Sequence, residues 1–86
     1  MLKQFKDRVK KSAADRLTYR AIMTTIPASA TVEEIAKAII LISDYRKLVS
    51  FEAHMSMIDK IRHPILTRRI GHLDFWTTCA TRAFNS

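Results

Sequence analysis

Glycine, proline and cysteine are scarce in this 86-residue chain, with one, two and one copy respectively. The single cysteine, Cys79, cannot form an internal disulfide. That excludes the disulfide-stapled scaffolds of small secreted domains and makes a reducing, cytoplasmic setting the expectation. One glycine leaves nothing from which to build a Gly-rich phosphate loop or a dinucleotide-binding turn. Long apolar runs are missing too. The longest strongly apolar stretch, residues 38–42, is five residues, against the roughly twenty that a membrane-crossing helix needs. No membrane span is expected, and residues 1–11 alternate charge with single apolar side chains, unlike a secretory signal.

Catalytic and metal-binding constellations are equally sparse. His54, His63 and His72 are spaced nine apart and Cys79 follows seven later, so no pair has the two-to-five-residue spacing of a structural zinc site. Cys79, His72 and Asp74 form a nominal trio, but the thiol reads as a small buried hydrophobe rather than an activated nucleophile. His54 reads as a partly buried histidine on an apolar helix face. No metal, no cofactor and no enzymatic activity are expected.

Acidic residues are also outnumbered, with eight Asp and Glu against fifteen Lys and Arg, a net charge of +7. The excess lies at the two ends. Residues 1–20 hold seven basic and two acidic side chains, residues 60–86 hold five and one, and the middle holds three and five. Such an excess points to an acidic partner.

The apolar pattern is helical. Leu2, Phe5, Val9, Ala13 and Leu17 recur at three- and four-residue steps over residues 2–25, with Lys3, Lys6 and Lys10 along the flank. Residues 12–15 resemble a capping box, so a kink or restart near Ser12 is expected, and Pro27 ends the element. Thr31 and Glu34 form a better capping box, opening the most apolar helix, 32–49. Its wide apolar face makes it the expected centre of the fold, with Ile39 at the middle of that face and Ile40 stranded among polar residues. Ser50 reads as the N-cap of a third helix, 51–62, with Phe51, Met55, Ile58 and Ile61 in its stripe. Pro64 and Gly71 bracket a short fourth element, 64–70. A last helix, 74–84, carries Phe75, Trp76, Cys79, Ala80 and Ala83 on one face, though residues 75–81 also suit a strand. The expected fold is all-α, a compact single domain of four to five helices over residues 1–86. A second copy of the chain is a candidate for completing so thin a core, as a homodimer.

For function, the candidate contact residues are Lys6, Lys10 and Lys11 at one end and Arg62, His63, Arg68, Arg69 and His72 at the other. Lys and Arg neutralise phosphates and release condensed counterions, so nucleic acid is the leading partner for a small regulator or accessory factor. The two histidines would make an acidic ligand bind more tightly as pH falls towards their ordinary range. The alternative is an interaction module, adaptor or inhibitor, for an acidic partner protein. Ile40 would be its contact, supported by the adaptable Met23, Met55 and Met57. A helix-turn-helix signature fails, because Ile40, Leu41 and Ile42 continue the helix where its tight turn belongs. The basic amphipathic N-terminus also suits an anionic membrane surface, but Asp7 and Asp15 weaken that reading.

Overall fold

The computed structural model describes residues 2–50 and 57–86. These form three α-helices, α1 (Leu2–Thr24), α2 (Val32–Val49) and α3 (Met57–Asn85), with a 3₁₀ turn at Pro27–Ser29 between the first two. There are no strands among the described residues.

Local chemistry explains where α2 starts and stops. The Glu34 amide donates to the Thr31 hydroxyl at 3.1 Å, and the Thr31 amide donates to the Glu34 carboxylate at 3.1 Å. The helix begins where the sequence places it because two otherwise orphaned donors are satisfied reciprocally. These bonds hold the Glu34 carboxyl below the usual carboxylate range, the Thr31 backbone N–H contributing most. At the other end, Ser50 is the C-cap: its amide donates to the Arg46 carbonyl and its hydroxyl to the Lys47 carbonyl. Its expected role opening a helix over 51–62 is therefore replaced, and much of that segment, with Phe51, His54 and Met55, lies outside the described residues.

α3 corrects the helix count. Elements expected at 64–70 and 74–84 are parts of one 29-residue helix running through Pro64 and Gly71. Proline removes one backbone donor and costs about 3 kcal/mol in a helix interior. The helix nonetheless continues, and beyond Pro64 it packs on both sides of Gly71. Leu66, Leu73, Trp76 and Ala80 are all buried on one stripe, and no helix end at Gly71 would keep them in line. The Thr67 hydroxyl also donates to the His63 carbonyl at 2.9 Å. Gly71 has negative φ, the ordinary helical hand rather than that of a helix-terminating cap. The strand alternative for 75–81 is likewise overturned. Phe75, placed on the inner face by sequence, points outward at 74% exposure, while Trp76 beside it is buried.

The core joins Ile22 of α1, Ala38, Leu41, Ile42 and Tyr45 of α2, and Leu66, Leu73, Trp76 and Ala80 of α3. α2 is the central helix, as its apolar arc implies. The arc is centred elsewhere, however: Ala38, Leu41 and Tyr45 are buried and Ile39 is 53% exposed. Ile39 was expected at the middle and lies at the margin, because the apolar side chains of α2 extend beyond the arc its two neighbours cover.

α1 shows the largest correction. It is one continuous helix, with no restart at Ser12. The stripe read from sequence faces away from the core: Val9, Ala13 and Leu17 are exposed, while Leu2 and Phe5 lie outside the described side chains. α1 is instead anchored by Ile22, with Tyr19 and Met23 packed beside it. The indole N–H of Trp76 donates to the Thr25 carbonyl at 3.0 Å, tying α3 to the chain just past α1. Once Tyr19, Ile22 and Met23 face inward, the 3.6-residue period turns Arg8, Lys11, Ser12 and Asp15 inward too and sends Val9, Ala13 and Leu17 outward. Among the described residues, no helix is long and apolar enough to cross a membrane.

Candidate functional site

Rotation of α1 sorts its cations into two sets. On the outward face lie Lys3, Lys6, Lys10, Arg16 and Arg20, all exposed, interleaved with Val9, Ala13 and Leu17. Asp15 falls on the opposite side of the helix, and the exposed Asp7 borders this arc, one turn from Lys3 and Lys10. From Lys3 to Arg20 the face runs about 26 Å at helical rise. Its positive charge comes entirely from exposed groups in water.

The second set lies between the helices. Arg8, Lys11, Ser12 and Asp15 of α1, Asp44, Tyr45, Lys47 and Leu48 of α2, and Arg62 and Arg69 of α3 line a cavity of about 250 Å³. Five cations meet two carboxylates there. Both carboxylates are held by the same amine, since Lys11 Nζ lies 3.1 Å from Asp44 and 3.4 Å from Asp15. The hydrogen bond to Asp44, above all, raises the Lys11 amine above its ordinary range. The Arg62 guanidinium donates to the Ser12 hydroxyl at 2.9 Å. Arg69 donates to the Tyr45 hydroxyl at 3.3 Å and lies over two aromatic rings, 5.1 Å from the Tyr19 centroid and 6.0 Å from that of Tyr45. Arginine suits this place because its flat guanidinium stacks and donates at once. Burial pushes the Tyr45 hydroxyl above its ordinary range, outweighing the opposing pull of Arg69. It therefore stays protonated at neutral pH.

The residues singled out by sequence thus divide. Lys11, Arg62 and Arg69 come together in the cavity, although they come from opposite ends of the chain. Lys6 and Lys10 stay on the outward face of α1, and Arg68 is exposed on α3. His72 is held at its Nδ1, 2.9 Å from the Tyr19 hydroxyl. His63 is half-buried, one residue before Pro64. Ile40 is 60% exposed. It borders a groove between α1 and α2 that is also lined by Lys11, Asp15, Lys37 and Asp44. Sequence reading counted Arg8 among the basic residues of the N-terminal end without naming it as a contact, and missed Lys47. Arg8 shares an inward register with Tyr19 and Ile22, a signal that appears once Ile22 rather than Val9 is taken as the anchor.

Among the described residues, no three His, Cys, Asp or Glu side chains come together to hold a metal ion. Cys79 is half-buried rather than fully buried. Comparison with protein families, with curated proteins and with solved structures finds no match to this chain, so what it binds is argued from its own side chains.

Proposed function

We propose that this protein is a non-enzymatic nucleic-acid-binding factor, a small regulator or accessory protein that grips backbone phosphates with the outward face of α1. The observation that carries this reading is the set of five exposed cations, Lys3, Lys6, Lys10, Arg16 and Arg20, on one broad helix face that a single carboxylate, Asp7, borders. A rigid helix holds them across one broad face, so their fields add along the length of a polyanion. Val9 and Leu17, exposed among them, offer apolar contact to sugars without sequence selection. Each phosphate neutralised releases counterions, and binding of this kind is steeply salt-dependent. Lys11 is not part of this contact, because its amine is committed to Asp15 and Asp44.

Gel shift with generic duplex DNA and RNA tests the reading. If all five cations engage a duplex, log K against log[salt] should have a slope of about −4.5. The double variant Lys6→Ala, Lys10→Ala should flatten it by about 1.8 with the helical circular dichroism unchanged. No shift at low salt would end the proposal. The second reading, docking of an acidic partner protein, is favoured by the exposure of Ile40 beside Lys37 on the α1–α2 groove. It expects Ile40→Ala to weaken binding and salt to matter less.

A further inference from the structure

In a helical array of this size, the space between three helices is ordinarily filled by apolar side chains. One end of this molecule follows that rule, with Trp76, Leu73, Leu41 and Ile22 buried. Nearer the N-terminus of α1 the same inter-helix space opens into a cleft lined by the half-buried Arg62 and Arg69 and the exposed Arg8, Lys11 and Lys47, against Asp15 and Asp44. That is an excess of three positive charges from three helices converging on one cavity. Like charges brought together with no counter-charge destabilise a fold, and an arrangement that costs stability is characteristic of a binding site.

Contacts with neighbouring side chains orient Arg62 and Arg69 and leave donors spare. Both carboxylates are taken up by Lys11. Arg62 spends one N–H on Ser12 and Arg69 one on Tyr45, out of the five that each guanidinium carries. Neither arginine is paired with a carboxylate among the described residues, and neither Arg8 nor Lys47 has a side-chain hydrogen bond or ion pair there. Arg69 is fixed between Tyr19 and Tyr45, and the Tyr45 hydroxyl stands at the wall of the cavity. Arginine forks matched with a tetrahedral oxyanion make paired hydrogen bonds. The excess of charge suits a dianion better than the single charge of an internal phosphodiester.

We propose that this cavity is a phosphomonoester-binding site, with Arg8, Lys47, Arg62 and Arg69 as the phosphate ligands and the Tyr19–Tyr45 pair as the support that orients Arg69. The phosphate belongs either to a small molecule, such as a nucleotide, or to the phosphorylated end of a nucleic-acid strand. The site is separate from the outward face of α1 and does not depend on that face binding nucleic acid.

Isothermal titration of the full chain with inorganic phosphate and with adenosine 5′-monophosphate is the test. Saturable one-to-one binding is expected, weakened about tenfold or more by the double variant Arg8→Ala, Lys47→Ala. The variant Arg46→Ala, Arg82→Ala removes the same charge from exposed positions outside the cavity and should change the affinity less than twofold. Should the first variant lose its helical signal, Arg8→Gln, Lys47→Gln replaces it. Absence of saturable binding, or equal weakening by the two charge-matched variants, overturns the proposal. A single-stranded oligonucleotide with and without a 5′-phosphate then separates the sources. A gain of about tenfold from the phosphate identifies a strand end, and no gain alongside mononucleotide binding identifies a small molecule. Because phosphate and mononucleotide are tested without a polymer, failure of the cavity and failure of the α1 face give different results.

Discussion

Replacing Gly71 by alanine distinguishes two architectures by the sign of a single number. Gly71 lies inside α3, its φ is negative, and a methyl group built on it meets nothing within 4 Å. Alanine there loses less backbone entropy on folding than glycine and introduces no clash, so Gly71→Ala should stabilise by about 0.5–1 kcal/mol. For a domain of this length the unfolding entropy is about 0.18 kcal/mol/K at the melting temperature. The midpoint should therefore rise by about 3–6 °C. Had Gly71 closed a short helix at 64–70, its backbone would be left-handed, and alanine would destabilise by about 1–2 kcal/mol. Thermal melts followed by circular dichroism at 222 nm, with urea titrations on the same two proteins, measure the difference. A lower midpoint for Gly71→Ala would refute the continuous α3 and with it the alignment of Leu66, Leu73 and Trp76 on one buried stripe.

Two further outcomes follow from the core and the cap, beside the salt and phosphate titrations above. Leu73→Ala should cost about 2–5 kcal/mol because Leu73 is fully buried. Ile39→Asp, at a half-exposed position, should cost no more than about 1 kcal/mol, and urea unfolding of both variants checks the ranking. Glu34 titrates below its ordinary range when folded, so its contribution is present above that range and lost as pH falls through the lowered value. Melting temperatures between about pH 3 and 6 should accordingly fall less steeply with acid in Glu34→Gln than in the parent, and equal slopes would show the cap to be idle.

Much of the secondary structure could be read locally because its causes are local. Thr31 and Glu34 close a capping box four residues long, and the start of α2 follows from it. Pro27 stops α1 within three residues of where steric conflict with the preceding residue requires. Pro64 and Gly71 both misled as strong local punctuation, and at Gly71 the apolar stripe from Leu66 to Ala80 overrode it through contacts distant in sequence. The candidate site was half legible. Lys11, Arg62 and Arg69 stood out by charge, but nothing in their spacing shows that residues about fifty apart share a cavity, or that Arg8 and Lys47 join them.

The sequence by itself determined the class of the fold, the central place of α2, the capped start of that helix, and an excess of positive charge at both ends. These properties depend on composition and on neighbours within a turn or two. Tertiary structure alone decided which way α1 faces. That helix carries two competing inward stripes, Val9–Ala13–Leu17 and Tyr19–Ile22–Met23. The second prevails because Ile22 and Tyr19 pack with the core and Trp76 bonds to Thr25 just beyond. A helix is rigid about its axis, so burying one stripe exposes the other. The same rotation turned five cations outward along α1 and brought Arg8 and Lys11 inward to meet Lys47, Arg62 and Arg69.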